Sequence, residues 1–171
     1  MPLIYVNEAF EGVTGYSREE AVGKNCRFLQ QDDTDQEALD ELRAAIKEKR
    51  PCSVLLRNYK KDGTAFWNQL RLSPIFNDAG IMTHLLGLQA DVTELVQTQE
   101  DIAQIYEFSP EAVGLVDTKT GLFESVNKAA EQLYGLPKEE LMKVGPAEVS
   151  PEFQEDGRSS AEAAGEQIGE A

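Results

Sequence analysis

The sequence predicts an α+β fold organised around an antiparallel sheet. Three observations carry that reading. Three strand-like runs follow one another between hairpin turns, a longer amphipathic helix precedes them, and short helical turns precede that helix.

Leu3–Val6 reads as a short strand, and Ala9, Phe10 and Val13 mark helical turns after it. Thr34-Asp35-Gln36-Glu37 has the spacing of a capping box. It predicts a helix running to about Lys49, with Leu39, Leu42 and Ile46 as the apolar stripe. Strands are predicted at Cys52–Tyr59, Ala65–Phe76 and Ile81–Ala90. Lys60-Lys61-Asp62-Gly63 and Asn77-Asp78-Ala79-Gly80 supply the turns between them. From Val92 to about Phe108 the pattern is helical again, with Leu95, Thr98, Ile102 and Ile105 near heptad a and d positions. That pattern suits a linker helix pairing with a partner helix, and equally a helix packed on its own sheet.

Beyond that helix the chain repeats itself. Val6-Asn7 and Ala9 recur as Val126-Asn127 and Ala129, Gly15 as Gly135, and Glu19-Glu20 as Glu139-Glu140, at a constant offset of 120 residues. The second copy carries a strand at Ala112–Val116 and a turn at Asp117–Gly121 ahead of its Val126-Asn127. The chain thus reads as starting late in one copy and stopping early in the next. After Ser150 large apolar residues are few, and the acidic tail 151–171 is expected to be weakly structured.

Composition sets outer limits. The 171 residues carry a net charge of −15, and the second half holds most of it. Residues 1–91 have 11 Lys and Arg against 14 Asp and Glu, whereas residues 92–171 have 5 against 17. Such a chain repels phosphate backbones and anionic lipids, so neither nucleic acid nor a membrane surface is expected as a partner. No apolar run is long enough to span a bilayer, and the N-terminus lacks a signal-peptide pattern. Two cysteines suggest a reducing compartment, with the cytoplasm as the expected location. Two Cys and one His make no zinc site.

Three amides stand out on the predicted strands. Asn58 shares a strand face with Val54 and Leu56, Asn68 with Phe66, Leu70 and Leu72, and Gln89 with Leu85 and Gly87. For Gln89 the parity is less decisive, because Leu86 and Leu88 make the opposite face apolar too. A buried amide without partners costs about 1–3 kcal/mol. A planar ligand with donors and acceptors along one edge would satisfy all three; backbone or water partners are the alternative.

The stretch Gly23-Lys24-Asn25-Cys26-Arg27-Phe28-Leu29-Gln30 resembles the flavin-contact motif of LOV domains, the photosensory branch of the PAS superfamily. Asn58-Tyr59, Phe66-Trp67-Asn68 and Gly87-Leu88-Gln89 reinforce the likeness at matching spacings, which covers about residues 2–93. Residues 109–150 look like the opening of an ordinary PAS domain. The expected organisation is a core over 1–93, a linker helix over 94–108, part of a second PAS unit over 109–150, and the tail.

The resemblance implies a PAS-type sheet with flanking short helices, a bound flavin, and a reversible adduct between Cys26 and the flavin after blue-light excitation. Asn25, Leu29 and Gln30 would lie against the cofactor, and Asn58 and Asn68 would hydrogen-bond the pyrimidine edge of its ring. Gln89 would sense the ring nitrogen that becomes protonated. Arg27 and Arg43 would hold a terminal phosphate, which favours FMN among the three candidates FMN, FAD and riboflavin. Leu70 and Leu85 stand at pocket positions that are often aromatic in this family, so packing and adduct lifetime are expected to differ. Cys26 has no neighbouring base in the sequence; a light-driven reaction needs none, since the excited cofactor supplies the driving force. Cys52 reads as structural and His84 as a surface or edge residue. In the second copy Gly145 and Pro146 stand where Asn25 and Cys26 stand, so no adduct is expected there.

A PAS-type sheet has five strands, and the first should precede Leu3. Ala112–Val116 is a candidate to fill that place, in cis or by strand exchange in a homodimer. The chain itself is expected to have no enzymatic turnover, its output domain lying elsewhere. The competing expectations are a flavin-free PAS interaction module and the sensor fragment of a larger signalling enzyme.

Overall fold

A computed structural model describes residues 1–150 of the chain. Two compact units divide it, the first Met1–Thr98 and the second beginning at Gln99. The tail after Ser150 lies outside the described residues.

In the first unit, helix α1 (Glu8–Thr14) starts where the Asn7 side chain accepts the Phe10 N–H, and it ends at Gly15 in the left-handed conformation. Helix α2 (Arg18–Ala21) opens on a capping box between Ser17 and Glu20. A 3-10 helix over Cys26–Gln30 follows, and helix α3 spans Ala38–Glu48. The antiparallel sheet has the order β1 (Cys52–Tyr59), β2 (Ala65–Phe76), β3 (Met82–Asp91). Leu39 of α3 packs on Val54 and Leu56 of β1, with Leu42 and Leu70 at the margin. The sheet's inner face therefore looks at α3 and the 3-10 helix, and both hairpin turns form as their chemistry dictates. Gly63 and Gly80 adopt φ of 87° and 73°, and Asn77 Oδ1 accepts the N–H groups of Ala79 and Ile81.

Four expectations need correction. Leu3–Val6 is not a ladder strand: Leu3 exchanges backbone hydrogen bonds of 2.8 Å with Lys24 and Gly23 in a loop, and among the described residues no strand pairs with it. Thr34 does not cap α3. The helix begins at Ala38 with Glu37 at the N-cap and no side-chain cap, because the loop ahead of it is committed elsewhere. Gln36 grips the Arg57 backbone from both sides (2.7 and 2.9 Å), and Asp33 pairs with the Arg57 guanidinium at 2.6 Å. The third strand is shifted by one residue, since Ile81 closes the turn. Finally, Ala112–Val116 does not complete the sheet in cis. Its Gly114–Val116 portion forms β4, which among the described residues pairs with β5 (Phe123–Val126) in the second unit. That strand already has a partner after a tight turn, in which the Gly121 N–H reaches the Asp117 carbonyl.

Helix α4 (Thr93–Phe108) buries none of its residues. In the second unit, β4, β5, α5 (Lys128–Tyr134), α6 (Lys138–Leu141) and α7 (Pro146–Val149) enclose a small core of Phe123, Val126, Ala130 and Leu141. Among the described residues no helix is long and apolar enough to cross a membrane.

Candidate functional site

The first unit contains a cavity of about 1160 Å³ between the inner sheet face, α3, the 3-10 helix and the N-terminal segment. Every residue singled out from the sequence lines it: Asn25, Cys26, Arg27, Leu29 and Gln30 from the cysteine segment, Arg43 from α3, Asn58, Asn68 and Leu70 from β1 and β2, and Leu85 and Gln89 from β3. Residues 64 positions apart converge on one space. Its volume lies just above the range of typical small-molecule sites.

The local sequence explains the placement. Asn25 caps the 3-10 helix by accepting the Arg27 N–H at 3.2 Å, which sets Cys26 at the first position of that turn. Leu29 is buried beneath it, so the turn is anchored by its apolar side. Cys26 itself presents surface to the cavity, yet the protein around its sulfur desolvates a thiolate and pushes the thiol pKa up. That direction argues against a pre-activated thiolate nucleophile.

On the strands the alternation holds. Val54, Leu56 and Asn58 are buried on β1, as are Phe66 and Asn68 on β2. Asn68 Nδ2 donates to Asn58 Oδ1 at 2.8 Å and to Gln89 Oε1 at 3.3 Å, so the three amides form one chain across three strands. Gln89 thus shares the sheet face of Asn68, while Leu86 and Leu88, of opposite parity, are exposed and also border the cavity. Asn58 Nδ2 is satisfied by the Arg57 carbonyl. Asn68 Oδ1 is not: although Asn68 is 1% exposed, this oxygen has no hydrogen-bond partner among the described residues. Native proteins seldom leave a buried acceptor empty. An N–H group entering the cavity would relieve it.

The two arginines differ. Arg27 lines the cavity and has no ion pair among the described residues, whereas Arg43 Nη1 holds Asp40 at 2.8 Å. That pair is an exposed one, three residues apart on a helix, and such pairs are weak. Arg43 can therefore exchange it for a phosphate at small cost. His84 is exposed, bonds its neighbour Thr83 and borders the cavity, and Cys52 is half-buried at the start of β1.

The sequence reading missed how the sheet is joined to α4. Asp91 ends β3 and accepts from the Thr93 N–H and hydroxyl (3.1 and 2.6 Å), while Lys60 lies 3.0 Å from its other oxygen. Thr93 Oγ1 in turn accepts the Trp67 N–H at 2.8 Å, and the Val92 N–H reaches the Trp67 carbonyl. These contacts bring together residues up to 33 positions apart, and only the Asp-x-Thr spacing could have hinted at them. Burial pushes the Asp91 carboxyl up, but the bonds from Thr93 and Lys60 outweigh it and hold the pKa below the ordinary value. A depressed carboxylate pKa stabilises the folded state above the unfolded-state pKa of about 4 and loses that contribution as pH falls through the folded value. The first turn of α4 is therefore expected to lose amide protection below about pH 4, as read by hydrogen exchange. In Asp91→Asn the protection should be weaker at neutral pH and flat across the same range.

A family model described as a PAS domain matches residues 1–94, and a second PAS domain model matches residues 100–167. The blue-light photoreceptor of Listeria monocytogenes serovar 1/2a is 52% identical over 92 residues, covering 54% of this chain and 36% of that protein. Blue-light-activated histidine kinase 1 of Erythrobacter litoralis is 46% identical over 108 residues, covering 60% and 30% respectively. The chain thus spans about a third of the length of these curated relatives. Among solved structures, the light state of the blue-light photoreceptor Aureochrome1 LOV superposes with a TM-score of 0.53 at 37% identity, covering 60% of this chain and 80% of that one.

Proposed function

The chain belongs to the PAS domain family, and on that premise we propose that its first unit is a blue-light sensor that seats FMN in the cavity and carries the light-reactive thiol on Cys26. The single observation that supports this most is the empty acceptor Asn68 Oδ1, buried beside Asn58 and Gln89 on a cavity-lining strand. An isoalloxazine ring offers the imide N–H that this oxygen lacks, and carbonyl groups for neighbouring amide donors. When bound, the flavin would supply the blue absorption and the light-driven chemistry for which Cys26 holds its thiol at the cavity wall.

The chain's own residues do the rest. The 3-10 helix holds the Cys26 sulfur at the cavity wall, and the raised thiol pKa keeps the proton in place until light arrives. Asn58 and Asn68 orient the ring edge. Arg27 and Arg43 reach for the phosphate, which is why FMN is named over riboflavin. Gln89, held by Asn68 through its Oε1, is the cavity-lining amide that could report a change at a bound cofactor by reversing its donor and acceptor ends. Because Gln89 stands two residues before Asp91, such a turn bears on the latch that holds the start of α4.

Exposure of Leu95, Ile102 and Ile105 on α4 supports a helix-to-helix contact in a homodimer as the output of this switch. Gly145 and Pro146 replace Asn25 and Cys26 in the second unit, so sensing is assigned to the first alone. Gln89→Leu tests the relay. It is expected to keep light-induced bleaching while abolishing the light-dependent change in amide exchange at Thr93–Val96. An unchanged exchange response in Gln89→Leu would remove Gln89 from the path.

A further inference from the structure

The cavity wall on β3 carries a gap in its row of side chains. Leu85, Gly87 and Gln89 share one face of the strand by alternation, and all three line the cavity. Leu85 and Gln89 are half-buried and stand roughly 13 Å apart along the strand. Gly87 lies midway, opposite Leu72 in the β2–β3 register, with Leu70 opposite Gln89. The wall is notched there.

A glycine inside a strand weakens it, and it is kept for a left-handed backbone, a bulge, a close approach of protein atoms, or a ligand. The first reason fails, because Gly87 is not among the glycines with positive φ. No bulge interrupts the ladder either: the register runs unbroken from Asn68 and Asp91 to Ile75 and His84. Close approach fails as well. A methyl group added at Gly87 would meet Leu70 Cδ1 at 3.7 Å and Leu72 Cδ1 at 3.9 Å, ordinary contacts with the ends of flexible side chains. Beyond its chain neighbours, no backbone atom of the described residues comes within 4 Å of it. The second unit shows what a packing glycine looks like. The same methyl would lie 2.7 Å from the Phe123 ring at Gly114 and would overlap the Gly121 carbonyl oxygen at Gly145. For Gly87, space for a ligand is the reason left.

The chemistry around the notch is graded. Gln89 leads into the Asn68 and Asn58 amides, whereas Leu70, Leu72 and Leu85 present hydrocarbon. We propose that Gly87 is a specificity-determining residue: its missing side chain lets the apolar end of a flat tricyclic ring lie against β3 while the polar edge of that ring reaches the amides. The proposal rests on the reading that a flavin occupies this cavity, and deepens it by assigning the notch to the ring and not to the phosphate-bearing chain.

The test uses the full chain, freed of cofactor, and two probes: FMN, and lumiflavin, the same tricycle with a methyl group in place of the phosphate-bearing chain. In Gly87→Val the affinities for both probes are expected to fall by the same factor, about tenfold or more, with Gly87→Ala falling between. The melting temperature of the cofactor-free variants is expected to stay level or rise, because either residue suits a strand better than glycine does. Unchanged affinities in Gly87→Val would overturn the proposal, and so would a loss confined to FMN, which would set Gly87 against the chain. Melting temperatures that drop in both variants together with the affinities would make Gly87 a structural residue. A wild-type chain that binds neither probe would contradict the flavin reading itself, whereas tight wild-type binding with a tolerant Gly87→Val contradicts this inference alone.

Discussion

Replacing Cys26 by alanine is expected to leave the blue absorption of the flavin-loaded protein in place and to abolish its bleaching under blue light. The substitution removes one sulfur at the cavity wall and leaves Asn25, Leu29 and the three-amide chain intact, so cofactor binding should change little. No second thiol can take over. Cys52 sits at the start of β1 and does not line the cavity, and the counterpart of Cys26 in the second unit is Pro146. The effect is therefore all-or-none in the bleached fraction. Bleaching that persists in Cys26→Ala would assign the light reaction to another group.

The second large effect is expected at Asn68. Asn68→Leu keeps the volume of the side chain and removes both its donor and its unpartnered acceptor. Without cofactor the change relieves one buried orphan, Asn68 Oδ1, but strips Asn58 Oδ1 of its donor, so the net effect on stability should be small. With cofactor the balance is lost. The ring N–H would be buried against a methyl group, a penalty of about 1–3 kcal/mol, which corresponds to roughly a tenfold to hundredfold weaker flavin affinity. A thermal melt of the cofactor-free protein and a flavin titration separate the two. A large fall in melting temperature with unchanged affinity would make Asn68 a structural residue.

Much of this was legible in the sequence because its causes are local or periodic. The hairpins follow from turn residues whose conformation only glycine and asparagine accept readily, and β1 and β2 fall at the predicted residues. The three amides were legible as a set because strand alternation puts alternate residues on one face, and burial of Asn58 and Asn68 beside Phe66 and Leu56 follows from that rule alone. What the sequence hid was partner choice over distance. Gln36 looked like part of a capping box, yet its amide is worth more on the Arg57 backbone, 21 residues away. Leu3–Val6 has strand composition but lacks a ladder partner, and composition cannot report that. The link from Asp91 and Thr93 to Lys60 and Trp67 likewise depends on the β2–β3 register, which fixes contacts that no local pattern encodes.

Absorption spectroscopy of the purified full chain after reconstitution with FMN bears most directly on the photosensory reading. A flavin band in the blue that disappears on illumination and returns in the dark, repeatedly, is the predicted result. A chain that takes up no flavin, or holds one whose blue band is unaffected by light, would contradict it.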